Sequence, residues 1–277
     1  MEHTGSALRG RWPGDNSPLL TVMAEVAQAP GKPTQILRSP LSWLADSGTM
    51  TWAYLVDCLQ MCLERPLEGR LFDEHGAQVD VKGPVAPNAE AYTLVSTDGQ
   101  PFDLAAGPIG KNRFEIPSPR PPSPRSNSSD SDSSGSSSDG RTSFRRSLLA
   151  RDGTCLISNK DTHGWIGAAH IIPITRQDIW DHFGVVDVYD ASCGILLGII
   201  QHRQFAYYGW SLYPLGNGEY IIHYFQPSSE EENRCHGKRI HRSHFRCPDE
   251  RLPKVEYLRW HYKQCVLMHL RSIAIPE

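Results

Sequence analysis

The sequence predicts an α+β chain made of two folded parts, and three observations carry that reading. Some segments space their apolar residues for a helix, whereas others alternate apolar and polar residues between Gly and Asp turns. A hydrophobic fraction of 39% is enough for a core. A serine- and proline-rich segment divides the 277 residues, a length that suits one large domain or two modest ones.

That divider is residues 117–142, PSPRPPSPRSNSSDSDSSGSSSDGRT, with 11 Ser, 5 Pro and almost nothing apolar. It cannot bury enough surface to offset its ordering entropy, so a disordered linker is expected. Before it, residues 1–35 are rich in Pro, Gly and small residues and are expected to be poorly ordered. Residues 36–116 then form a small α+β domain. In it, MTWAYLVDCLQMCLER at 50–65 has helical spacing, with Cys58 and Cys62 on one face as packed core thiols. GRLFDEHGAQVDV and AYTLVSTDGQPFDL read as two or three strands of a small sheet.

After the divider, residues 143–277 are expected to form a second domain. SFRRSLLARDG reads as a helix ending at Gly153. TCLIS and WIGAAHIIP read as short strands, and CGILLGIIQHRQFAYYGW as an extended piece followed by a helix carrying His202. YLRWHYKQCVLMHLRSI is an amphipathic helix candidate.

Composition narrows the function classes. No run of about 18 apolar residues could span a bilayer, so no membrane partner is expected. No basic, then apolar, then small-residue pattern marks a secretory leader. Seven scattered cysteines, an odd number, suit reduced thiols inside the cell, nucleus or cytoplasm, better than a disulfide framework. The net charge of −3 hides a basic end: residues 234–277 hold 10 Lys or Arg against 4 Asp or Glu. That balance is compatible with phosphate contacts without being strongly basic.

Three motifs stand in order: RDGTC at 151–155, AAHIIP at 168–173 and CGILLGIIQH at 193–202. Together they resemble the HNH endonuclease family, whose restriction-type and fungal members show RDG-x-C, A-A-H-I-x-P, N-G-L-L-L and a closing histidine on a helix. The resemblance covers roughly residues 143–210. It implies a ββα-metal finger with flanking helices and a metal-dependent endonuclease that hydrolyses DNA phosphodiester bonds. His170 would be the general base, since imidazole is suited to activating water near neutral pH. His202 would be a metal ligand, and Asp190 resembles an acidic residue often found near it. Mg²⁺ or Mn²⁺ is the expected ion, with Zn²⁺ as an alternative. The sequence departs from the family at Cys193, where the motif has Asn. In the family that amide braces the loop positioning the base, and a thiol is a weaker donor and acceptor.

The competing reading is a catalytically silent module of the same type that binds nucleic acid or an unidentified protein partner. A further group, Cys235, His236, His241, His244 and Cys247, contains zinc-ligand residue types, but its spacing fits no firm zinc pattern. The interspersed Lys238, Arg239, Arg242 and Arg246 favour a basic surface loop that contacts nucleic-acid phosphates.

Overall fold

Residues 19–26, LLTVMAEV, alternate in burial in the computed structural model, where Leu20, Val22, Ala24 and Val26 all point into the core. This model describes residues 17–85, 91–107, 135–160 and 165–272. The alternation forms strand β1 (Leu19–Val26), which turns into β2 (Ala29–Pro40). Helices α1 (Leu41–Asp46) and α2 (Trp52–Cys62) follow, then strands β3 (Gly69–Asp73) and β4 (Ala91–Ser96). Helix α3 (Gly135–Asp152) leads to β5 (Ile166–His170) and α4 (Gln177–His182). Strand β6 (Gly194–Gly198) continues directly into α5 (Ile199–Ala206). The chain ends with β7 (Trp210–Gly216), β8 (Glu219–Tyr224), α6 (Glu230–Cys235), β9 (Arg239–Ile240) and α7 (Val255–His269). This is a mixed α+β chain, as the sequence predicts.

The chain separates into two compact units whose boundaries differ from those read in the sequence. The first is Met1–Ile109 with Arg203–Arg242 and Val255–Glu277; the second is Gly110–His202 with Ser243–Lys254. The expected domain at 143–277 is therefore divided. Local pattern could not show this, because it reports which face of a helix is apolar and not which partner covers it.

In the first unit, a four-stranded sheet has the order β2-β1-β4-β3, with β1 antiparallel to β2 and parallel to β4. Strands at 19–26 and from 29 on correct the expectation of poor order for that part of residues 1–35, while residues 1–16 lie outside the described residues. Pro30 and Pro33 misled the compositional reading, but they lie on edge strand β2, where a missing N–H need not break a ladder on the outer side. Thr51 caps α2 by accepting a hydrogen bond from the Tyr54 N–H at 3.3 Å. Cys58 and Cys62 are buried as expected for packed thiols; burial raises both pKa values, that of Cys62 to about 12. A second sheet, β7-β8-β9, contains a hairpin whose turn holds Gly216, Asn217 and Gly218, all at positive φ.

Helix α7 joins α2 through two polar contacts one helical turn apart. Tyr54 and Tyr262 hydroxyls lie 2.7 Å apart, and Arg259 donates two bonds to the Asp57 carboxylate. Tyr262 also reaches His223 Nδ1 at 2.5 Å, while His223 Nε2 lies 3.0 Å from the Ser47 carbonyl. His261 and His269 each bond a backbone carbonyl, of Phe205 and Tyr208 respectively, at 3.0 Å. The cluster keeps its polar atoms hydrogen-bonded inside an apolar core, as buried polar groups require.

In the second unit, residues 117–142 do not behave as one linker. Residues 117–134 lie outside the described residues, and Gly135–Asp152 is helical, so the divider's last residues belong to α3. The helix ends before Gly153, as expected, with Gly153 at φ 72° and its N–H on the Leu149 carbonyl at 3.0 Å. TCLIS is not a strand but a turn segment, tied to β6 by the Leu156 N–H on the Leu196 carbonyl at 2.9 Å. Strands β5 and β6 pair antiparallel, and α3 covers them with Phe144 and Leu148, which pack with Ile166, Ala191 and Leu196.

Burial lowers the pKa of His223 and His261 to about 3, and that of His269 to about 4. The ordinary value is 6.5, so the unfolded chain binds protons that the folded one refuses. Stability should be level above pH 6.5 and fall as pH drops from there towards 4. Each such imidazole adds a slope of about 1.4 kcal/mol per pH unit. Urea unfolding followed at stepped pH measures it; a flat profile between pH 6.5 and 4.5 would contradict neutral burial.

Candidate functional site

Strand β5 ends at His170, which is in register with Gly194 at the start of β6. Because β6 runs straight into α5, His202 follows within one helical turn. In chain order these are β5, α4, a 3-10 turn, β6 and α5, with one imidazole at the end of β5 and another within α5.

His170 is held on several sides. Its ring stacks on Phe144 with centroids 4.2 Å apart and meets Tyr189 edge-on at 5.6 Å. Its Nε2 lies 3.0 Å from the Val188 carbonyl oxygen. A carbonyl only accepts, so Nε2 carries the proton and donates, leaving the Nδ1 lone pair as the basic site of the neutral ring. Burial lowers the imidazole pKa to about 4, the Val188 bond opposes this, and the charges of His202 and Arg141 lower it further. The ring is thus neutral at physiological pH. Gly194 makes the stacking possible: a Cβ there would overlap the Phe144 ring edge and stand 2.7 Å from the Ala169 carbonyl oxygen.

Helix α5 carries His202 back over β5. Its Nδ1 is 3.3 Å from where a Cβ on Gly167 would stand, so the bare backbone at 167 leaves the imidazole its room. Burial lowers the pKa of His202 as well, keeping the ring neutral and able to donate a lone pair. The two histidines expected to act together are close enough for charge on one to depress protonation of the other.

Asp190 sits in the connection before β6 and uses its side chain locally. Its Oδ1 accepts from the Ser192 N–H at 2.8 Å and caps the 3-10 turn Ala191–Cys193. It is not among the charges acting on His170 or His202. Cys193, in the motif's Asn position, is buried, and its Sγ donates to the Asp187 carbonyl at 3.7 Å. Burial raises its pKa to about 11, so it stays a thiol. It still ties down the loop next to Val188, whose carbonyl orients His170, but by one long sulfur contact in place of an amide's stronger bonds.

The opening motif, whose role the sequence did not disclose, supplies the main brace. Arg151 and Asp152 form a doubly hydrogen-bonded pair, at 2.5 and 2.9 Å, with both side chains almost completely buried. Arg151 also donates to the carbonyls of Ala191 (2.7 Å), Gly194 (2.8 Å) and Arg251 (3.0 Å). Asp152 Oδ2 accepts from the Leu196 N–H at 3.0 Å. These bonds hold both ends of the turn that carries Cys193 and leads into β6. Cys155 is a buried thiol whose sulfur accepts from the Gly198 N–H at 3.1 Å.

Lys238, Arg239 and Arg242 belong to the first unit and Arg246 to the second. The Arg246 guanidinium lies over Gly153, 3.2 Å from the position of a Cβ there. Both nitrogens of His236 are engaged, with the Tyr224 N–H and the Trp43 carbonyl, and His241 meets Glu219 at 3.0 Å. Among the described residues, no three His, Cys, Asp or Glu side chains gather into a group that could hold a metal ion. Compared with known proteins, the chain matches no family model, no curated protein and no solved structure.

Two outcomes follow from this geometry. Asp152→Ala leaves the Arg151 charge buried without its partner and should cost about 3–5 kcal/mol, with the Leu196 amide losing protection in hydrogen exchange; unchanged exchange there would rule out the brace. In an NMR titration, His170 should remain a neutral ring protonated on Nε2 down to about pH 4. Protonation near pH 6.5 would show that the ring is not buried as described.

Proposed function

We propose that β5, β6 and α5 form the active site of a metal-dependent endonuclease of the HNH type, which hydrolyses DNA phosphodiester bonds. The orientation of His170 carries this reading. The Val188 carbonyl directs one ring nitrogen away from chemistry and leaves Nδ1 as a proton acceptor, while Phe144 and Tyr189 restrict the ring. A restrained neutral imidazole is what general-base activation of a water needs, and fixed orientation contributes as much as basicity. A base with a pKa of about 4 is always in its active form at neutral pH, although its driving force for taking a proton is modest.

His202 is the side chain that would hold a divalent cation, which supplies charge stabilisation for the phosphate and the leaving oxygen. Mg²⁺ and Mn²⁺ take mainly oxygen ligands, so a lone imidazole is a poor fit for either unless water and substrate phosphate supply the remaining donors. It does not fit a closed Zn²⁺ site, which takes four protein donors. Asp190, committed to its cap, is read as a positioning residue for the turn before β6.

A second reading has its own support: a silent module that binds nucleic acid or a protein. The Cys193 brace is weak, and three large apolar side chains are exposed at the end of the β5–β6 pair away from His170. Trp165 is 65%, Ile199 59% and Ile200 64% exposed, and the Ile199 N–H bonds the Trp165 carbonyl at 2.9 Å. Such a patch is a common mark of a binding surface.

Plasmid nicking separates the two. The wild-type chain with Mg²⁺ or Mn²⁺ should nick supercoiled DNA, and His170→Ala should lower the rate by about 10²-fold or more. Absence of metal-dependent nicking by pure wild-type protein sends the reading to the binding module, and equal nicking by the variant removes His170 as the base. For an active enzyme, kcat/KM should not fall between pH 8 and pH 6 on account of this base, because its neutral form persists to about pH 4. An acid limb centred near 6.5 would point to a different base.

A further inference from the structure

Among the described residues, strand β5 pairs only with β6, so one of its edges is unpaired within the sheet. Trp165 turns its carbonyl to the β6 side, where it accepts the Ile199 N–H, and alternation along the strand turns the Ile166 carbonyl to the opposite edge. On that edge the Arg145 guanidinium donates to Ile166 O at 3.0 Å. Phe144, the preceding residue of α3, stacks on His170. One turn earlier, Gly140 packs so closely on the Tyr189 ring that a Cβ there would come within 2.9 Å of it. Arg141 follows Gly140 directly and shares a helix face with Arg145, since residues four apart are neighbours on a helix. Both side chains are exposed, and among the described residues neither is paired with a carboxylate.

We propose that Arg141 and Arg145 form a phosphate clamp along the open edge of β5, gripping the backbone of the nucleic-acid strand whose scissile bond lies at His170. The identity of the strand as substrate rests on the nuclease reading above, whereas the clamp itself is a binding claim. The chemistry favours phosphate. Guanidinium is always charged, presents a planar fork of donors and matches phosphate oxygens in pairs. Two such groups, one helical turn apart beside a general base, hold an anionic backbone in register with it. The placement also explains why His170 feels the Arg141 charge. The proposal moves the main phosphate contact from Lys238, Arg239, Arg242 and Arg246 to α3.

The test is equilibrium binding of the full chain to a fluorescent 20-base-pair duplex in EDTA, so that no cleavage intervenes, across a salt series. The probes are wild type, Arg141→Gln/Arg145→Gln, Arg145→Lys and Arg146→Gln as an exposed control on the same helix. Each lost phosphate contact on duplex DNA lowers the slope of log affinity against log salt by about 0.9, so the double variant should lose about 1.8. Arg145→Lys should keep the wild-type slope and Arg146→Gln should change it little. Circular dichroism confirms that each variant folds. If the double variant does not fold, Arg141→Gln alone, whose side chain makes no hydrogen bond among the described residues, should lose about 0.9. A double variant with the wild-type slope, an equal loss in Arg146→Gln, or a wild-type chain that does not bind the duplex overturns the clamp. Loss of slope in a chain that binds but never nicks leaves the clamp standing and removes the nuclease reading.

Discussion

The Arg151–Asp152 pair is the interaction on which the candidate site depends. An unpaired charge of either sign would be prohibitively costly in that interior, yet each satisfies the other and both spend their remaining donors and acceptors on backbone. The carbonyls they engage belong to Ala191, Gly194 and Arg251, and the amide to Leu196. Gly194 is the register partner of His170, so a motif at the end of α3 sets the position of an imidazole two strands away. A hydrophobic replacement could fill the volume, but it could not point to three carbonyls at once.

Gly194 shows how tightly the pieces are fitted. Its missing side chain is the space that the Phe144 ring edge occupies, and the Phe144 ring is the platform for His170. The same economy appears at Gly167, whose bare backbone admits the His202 ring. Glycines in a strand usually weaken it, and here each is tied to the close approach of an aromatic or imidazole ring. Cys193 shows the opposite tendency. It keeps the burial and the loop contact that its place in the turn demands, while giving up most of the hydrogen-bonding strength an amide would bring.

The first unit solves a different problem. It buries His223, His261 and His269 as neutral rings among tyrosines, each fixed by a carbonyl or hydroxyl partner. Stacking of His261 on Phe205, with centroids 3.6 Å apart, adds dispersion to the same contacts. Histidines in this number invite a catalytic or metal reading in the sequence. Their partners account for them as core residues whose polarity orders the packing.

By itself, the sequence determined the elements with strong local periodicity. Helix α2, the end of α3 at Gly153, strand β5, the passage from β6 into α5, and α7 were all legible, because apolar spacing, a glycine cap and strand alternation are local properties. It also singled out His170, the last residue of β5, and His202, within α5. The apolar residues of LLTVMAEV and the GNG turn of the β7–β8 hairpin are local signals as well, the first set among Pro- and Gly-rich flanks that mask a strand. Only the tertiary structure decided that α7 belongs with the first unit, that Arg151 and Asp152 brace the turn before β6, and that Asp190 serves a cap. Those outcomes depend on contacts between residues tens of positions apart, and a one-dimensional pattern records the apolar face or the charge without recording what will meet it.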